Sequence, residues 1–256
     1  RIPTYEKVFF RNSVSLMLSA FILFKQKESI KVEKENIPFV FGRSFFGFVG
    51  MVANFYALEH LTMAEANMLN KLSPVFVTIC ACIFLKERVD KKQVIGIILM
   101  LLAVVFVIKP SFSPEVIPSL AGLFSAVLAG FSYTIIRYLN GKVKSEINVF
   151  YFSLLSVVCT FPLMMMNFVK PTLSEFLILL GGIGISAAMG QFGLTYAYTF
   201  APASEVSIYN YVIIITSMLM DYVLFSTIPD LFSFIGGFMI ISTAIYLYIH
   251  NKKKDN

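Results

Sequence analysis

Hydrophilic side chains set inside long apolar runs are the residues of this chain that could do chemistry. Asn67, Asn70, Lys71, Pro74 and Thr78 share one run, and their spacings of three, four and seven put them on one helical face. Ser207, Asn210, Ser217 and Asp221 form a similar stripe in a later run. Polar groups facing lipid are costly, so both stripes are expected to face protein or a water-filled path. Hydrogen bonding to a passing polar solute suits such stripes better than bond breaking. The chain has 2 histidines, His60 and His250, both at ends of apolar runs. It has no HExxH, no GxSxG and no paired aspartate motif, so no catalytic residue is assigned. An intramembrane enzyme and a non-transporting membrane scaffold remain the rival readings. A scaffold has no need of two matched polar stripes.

The candidate substrate-binding set is Asn54, Asn67, Asn70, Lys71, Thr78, Gln191, Ser207, Asn210, Ser217 and Asp221. Asn54 shares a face with Arg43, Gly47 and Gly50; Gln191 shares one with Thr195 and Tyr198. Lys71 lies roughly 10 Å below one end of its helix, at 1.5 Å per residue, and Asp221 about one turn below the end of its own. They are expected either to pair in one outer vestibule or to snorkel separately to the interface. Arg11 and Arg43 are expected to snorkel to lipid phosphate, with coordination of an anionic solute as the alternative. Glu65 and Glu205 sit in first helical turns, where carboxylates suit the helix dipole. Pro74 removes a backbone donor and predicts a kink. Gly122, Ala126 and Gly130 recur every four residues, as do Gly182, Ser186 and Gly190, which predicts close helix packing. Cys80, Cys82 and Cys159 sit inside apolar runs without metal-ligand spacing, so they are read as packing residues, with no metal and no cofactor.

These residues need helices that cross a bilayer to position them. Of 256 residues, 57% are hydrophobic and 14% charged. Soluble domains average about 45–50% apolar and about 25% charged. A crossing helix needs about 20 apolar residues. The apolar blocks are Val8–Phe24, Phe39–Leu58, Ala64–Leu85, Val94–Ile108, Leu120–Leu139, Val149–Phe168, Phe176–Phe200, Ser204–Phe225 and Phe232–Ile249. They are apolar on every face, unlike the alternating strands of a membrane barrel. Most connections are too short for an extramembrane domain. Lysine and arginine cluster after the first, third, fifth and ninth blocks, which places those loops and the C-terminus in the cytoplasm of a cell (inner) membrane. The net charge of +6 is thereby accounted for without nucleic acid. Tyr5, Tyr138, Tyr151, Tyr222 and Tyr248 lie near block ends, as interfacial anchors.

The two halves align without gaps at an offset of 140 residues. Gly50 meets Gly190, Tyr56 meets Tyr196, Glu65 meets Glu205, Asn70 meets Asn210, Asp90 meets Asp230 and Gly96 meets Gly236. Asn67 and Ser207 are mates as well. The fifth block lacks a mate, because 140 residues earlier lies before Arg1. One further helix is therefore expected at the N-terminus, giving five plus five. Five is odd, so the halves are expected to insert in opposite orientations, as in many secondary transporters. The expected organisation is 1–110 for the first repeat, 118–250 for the second and 251–256 for a basic cytoplasmic tail.

Pro3–Asn12, Tyr56-Ala57-Leu58, Leu72-Ser73-Pro74-Val75-Phe76, Phe84-Leu85-Lys86-Glu87-Arg88 and Ile95-Gly96 carry a resemblance over nearly the whole chain. The pattern resembles the EamA-like family of the drug/metabolite transporter superfamily. That resemblance implies an all-α polytopic bundle of ten helices in two inverted repeats, nine of them present here. It also implies a central cavity lined largely by helices 1, 3, 4, 6, 8 and 9, with the first block here being helix 2. The second repeat departs from the pattern, with Ile214 opposite Pro74 and Thr227 opposite Glu87. The function implied is transport of a small polar or amphiphilic metabolite across the membrane by alternating access. The partners implied are a small-molecule solute and the lipid bilayer.

Overall fold

The computed structural model describes residues 2–84, 90–108, 116–166, 168–200, 212–228 and 230–255. Every regular element among them is helical. The helices are α1 (Thr4–Lys25), α2 (Ile37–His60), α3 (Met63–Asn70), α4 (Ser73–Phe84), α5 (Lys91–Ile108) and α6 (Val116–Tyr138). They continue with α7 (Ser145–Met166), α8 (Leu173–Leu177), α9 (Ser186–Phe200), α10 (Val212–Phe225) and α11 (Leu231–Asp255). A π-helical segment, Ile178–Ile185, joins α8 to α9. With α3–α4 and α8–α9 each taken as one passage, 8 helices are long and apolar enough to cross a bilayer, and α10 is a shorter apolar helix. Among the described residues the apolar blocks of the sequence fall mainly on helices, and α11 runs on through the basic tail to Asp255.

Local sequence explains several boundaries. Thr62 caps α3 in a reciprocal box with Glu65, and Thr172 caps α8 in the same way with Glu175. Pro38 stands in the first turn of α2, where its missing donor costs nothing, and the Asn36 carbonyl accepts from Val40 N–H at 3.0 Å. After α1 the chain turns through Lys27, with φ at 54°, while Glu28 N–H bonds the Leu23 carbonyl at 3.0 Å and Lys27 N–H bonds that of Phe24 at 3.1 Å.

Two passages depart from the continuous helices expected. The passage holding Pro74 is interrupted, not merely kinked. Lys71 and Leu72 are non-helical between α3 and α4, and Leu72 N–H reaches only the Leu69 carbonyl at 3.2 Å. Proline at 74 cannot donate to the Asn70 carbonyl, so the helix cannot be carried through. Val75 restarts it with a bond to the Leu72 carbonyl at 2.9 Å. The π-helical segment contains Gly181, Gly182 and Gly184, whose weak helix propensity lets the ladder shift register.

The chain forms two compact units, Arg1–Phe48 with Ile135–Phe200, and Val49–Thr134 with Ala201–Asn256. Each draws on both halves of the sequence. In the first, α1 packs along α7. Buried Val8, Asn12, Ser15, Ser19 and Leu23 recur on α1 every three or four residues, and Ser153, Ser156 and Thr160 are buried on α7. Most of these hydroxyls are satisfied by carbonyls of their own helix, as Ser19 is by Leu16 at 3.0 Å and Thr160 by Ser156 at 2.7 Å, so they behave as small packing residues. Gly184 lies so close to α1 that a Cβ there would stand 2.5 Å from Val14 Cγ2.

In the second unit, Met68, Leu69, Leu72, Val75, Met100, Val104, Ile214 and Ile240 share one buried apolar cluster. Helices α5 and α11 pack together through two glycines. A Cβ on Gly96 would meet Leu247 at 2.7 Å, and one on Gly236 would meet Val107 at 2.6 Å. An offset of 140 carries the first contact onto the second. Gly122 and Gly130 of α6 do serve close packing, against Leu69 and Phe76. The matching expectation for Gly182, Ser186 and Gly190 is corrected. All three are exposed, and a Cβ on Gly190 would meet nothing within 4 Å among the described residues.

Candidate functional site

The interrupted passage and α10, both in the second unit, position most of the candidate residues. The amide nitrogen of Asn67 on α3 donates to Ser217 Oγ on α10 at 2.8 Å. One turn on, Asn70 donates to Ser125 Oγ on α6 at 2.9 Å, and Ser125 in turn bonds the Gly122 carbonyl at 2.6 Å. Asn67 and Asn70 are therefore anchored to two different helices, immediately before the break. Each remains partly buried, so neither amide is sealed into the core.

Asp221 anchors the other end of α3. It is 2% exposed, and its carboxylate accepts from Met63 N–H at 3.2 Å and Ala64 N–H at 2.7 Å. Those are the first donors of α3, which no intrahelical carbonyl can satisfy. A carboxylate there also meets the positive end of the helix dipole. The adjacent Glu65 carboxylate closes the capping box and accepts from Ser233 Oγ of α11 at 2.9 Å. The polar start of α3 thus ties three helices together.

This geometry settles the Lys71 and Asp221 expectation. No ion pair joins them among the described residues, because backbone donors at the far end of α3 occupy Asp221. Lys71 sits instead at the break itself, as the residue capping the C-terminus of α3. It is partly buried, and its ammonium has no hydrogen bond or ion pair among the described residues. A cation beside the C-terminal carbonyls of a half-helix suits the dipole.

The remaining candidates divide. Thr78 Oγ1 is satisfied within α4 by the Pro74 carbonyl at 2.9 Å. Asn54 is partly buried on α2 in the second unit, and its Oδ1 is enclosed with no hydrogen-bond partner among the described residues. Gln191 belongs to the first unit, where its Nε2 reaches Thr195 Oγ1 at 3.5 Å and where Thr195 and Tyr198 are buried. Ser207 and Asn210 lie outside the described residues, as does Glu205.

Two features escaped the sequence reading. Ser125 was hidden beside a small-residue stripe read as packing, where it accepts from Asn70 and bonds the Gly122 carbonyl. Arg43 was expected to snorkel outward. It is 2% exposed instead, with its guanidinium 4.5 Å above the Phe152 ring, in the first unit. Gly47 makes that place, since a Cβ there would stand 3.0 Å from the Phe152 ring. Cys159, expected to pack, is exposed, while Cys80 is buried. Among the described residues no group of His, Cys, Asp or Glu could hold a metal ion.

The arrangement is a broken passage with amides and a cation at its break. The model of the EamA-like transporter family matches residues 1–109 and 117–249. The pseudopaline exporter of Pseudomonas aeruginosa is 31% identical over 248 residues, covering 96% of this chain and 86% of that protein. An S-adenosylmethionine uptake transporter of Rickettsia conorii is 26% identical over 264 residues, covering 100% and 86%. A solved crystal structure, 17% identical, superposes with a TM-score of 0.73 over 97% of this chain and 88% of its own, which shows the fold. The chain belongs to the EamA-like transporter family, as a multi-pass membrane protein whose relatives carry small solutes.

Proposed function

We propose that this protein moves a small polar, zwitterionic or amphiphilic metabolite across a cell (inner) membrane by alternating access. The observation that carries the reading is the break at Lys71–Leu72, flanked by Asn67 and Asn70. Interrupted helices in secondary transporters expose unpaired backbone groups and half-helix dipoles at solute height. Here the break offers the Asn70 carbonyl, two amides held by serines on α10 and α6, and a positive charge. Such a set suits a solute bearing a carboxylate together with hydrogen-bonding groups.

Two inverted repeats remain part of the proposal. The paired contacts Gly96 with Leu247 and Gly236 with Val107 support it, since each is the other shifted by 140 residues. The repeats 1–110 and 118–250 and a cytoplasmic C-terminus belong to the same reading. The relatives' names supply first test solutes, one exported and one taken up.

The test is thermal unfolding of the purified protein against a metabolite library that includes pseudopaline and S-adenosylmethionine. A ligand is expected to raise Tm by several degrees in the parent protein and by much less in Lys71→Ala. Equal shifts in both proteins would remove Lys71 from the site. No shift with any polar metabolite would count against the solute class.

A further inference from the structure

The first unit contains a cavity of about 640 Å³ lined by none of the candidate substrate-binding residues. It lies between α2 and α7, under the segment joining α1 to α2. Val40, Phe41, Leu154, Leu155 and Val158 make its wall, and Lys31 and Lys34 of the joining segment stand over it. No carboxylate is among its lining residues. The volume falls in the roughly 300–1,000 Å³ range of ordinary ligand pockets.

Two bonds hold the basic segment in place. Tyr151 Oη on α7 donates to the Ile30 carbonyl at 2.9 Å, and Lys144 pairs with Glu28 at 2.6 Å. Glu33 accepts from Asn36 at 3.3 Å. Lys31 and Lys34 are thus left exposed above an apolar trough whose rim is fixed. The offset of 140 gives a reason for the opening. It carries Gly184 and Val14, which touch, onto Ser44 and Leu154, which both line the cavity. Serine keeps the helices apart where glycine lets them meet.

We propose that this groove is a binding site for an anionic phospholipid of the bilayer. An acyl chain lies against Val40, Leu155 and Val158, and the phosphate is held by Lys31 and Lys34. Charge complementarity and depth favour that occupant. The wall is apolar and belongs to two helices long enough to cross a membrane, whereas both cations belong to the polar segment that precedes α2, and basic side chains beside a membrane surface attract anionic headgroups. A zwitterionic lipid would fill the trough and gain little from the lysines.

The chain has no tryptophan, so one introduced residue reports alone. Leu155→Trp protein in vesicles is titrated with brominated phosphatidylglycerol or brominated phosphatidylcholine, and quenching is followed. Val158→Trp, at an exposed position, serves if the first variant does not fold. Quenching is expected at about tenfold lower mole fraction of the anionic lipid, since each basic side chain near a headgroup contributes appreciably. The preference is expected to vanish in Lys31→Gln/Lys34→Gln protein, whose substitutions are exposed. Equal quenching by both lipids, a preference surviving the double substitution, or relief of quenching by soluble glycerol phosphate would each overturn the proposal. Solute-induced thermal shifts at the break are a separate readout, so failure here leaves the transport reading to its own test.

Discussion

Asp221 shows how one side chain can be committed to architecture. Its carboxylate takes the first two donors of α3, each a charge-assisted bond worth about 1.5–3 kcal/mol net. Asp221→Ala leaves both donors orphaned and should lower stability by about 2–4 kcal/mol. Asp221→Asn keeps one acceptor and should lose about half as much. Thermal unfolding of the two purified variants checks the order; equal losses would mean that the bonds do not set the effect. Asn67 and Ser217 should be coupled by about 0.5–2 kcal/mol in a double-mutant cycle, the range for hydrogen bonds between membrane helices. Lys71 contrasts with these. A charge at a helix break with no bond among the described residues is the residue whose loss should cost solute recognition more than stability.

Among the elements, contact between α5 and α11 depends on glycine. Gly236 faces Val107 and the Ala103 carbonyl at 3.0 Å, so even a methyl group must push backbone aside. Gly236→Val should cost about 2–3 kcal/mol. Gly190→Ala should be neutral or slightly stabilising, since nothing described lies within 4 Å and alanine is the better helix former. Pro74→Ala restores the donor that the Asn70 carbonyl lacks. It should raise or preserve Tm while slowing transport, because a continuous helix no longer offers its broken ends. A variant transporting at the parent rate would make the break incidental.

The elements also show what could be read in advance. Hydrophobic length located the membrane passages, whereas the capping boxes that start α3 and α8 emerged only with the structure. Pro74 announced trouble in its helix. Spacing alone could not say whether the helix bends or stops, since that depends on which carbonyls find other partners. The polar stripes of Asn67 with Asn70 and of Ser217 with Asp221 were legible because helical periodicity fixes which residues of one helix share a face. Partners were not, because pairing across helices depends on rotation and depth that a single sequence does not encode. Asp221, expected either to pair with Lys71 or to snorkel to the interface, therefore proved to bond backbone instead. Arg43 looked like a surface cation and proved to be buried on Phe152.

For the whole molecule, family membership and eight long apolar helices establish membrane transport, and the break in the α3–α4 passage gives it a mechanism to test. Relatives named for export and for uptake show that this fold serves both directions. The most direct measurement is solute counterflow in proteoliposomes, using whichever metabolite most raises Tm. The account predicts transient accumulation of labelled solute in preloaded vesicles by the parent protein. It also predicts loss of that accumulation in Asn67→Ala/Lys71→Ala protein that still unfolds cooperatively. Uptake indifferent to the preloaded solute, or full counterflow by the double variant, would contradict it.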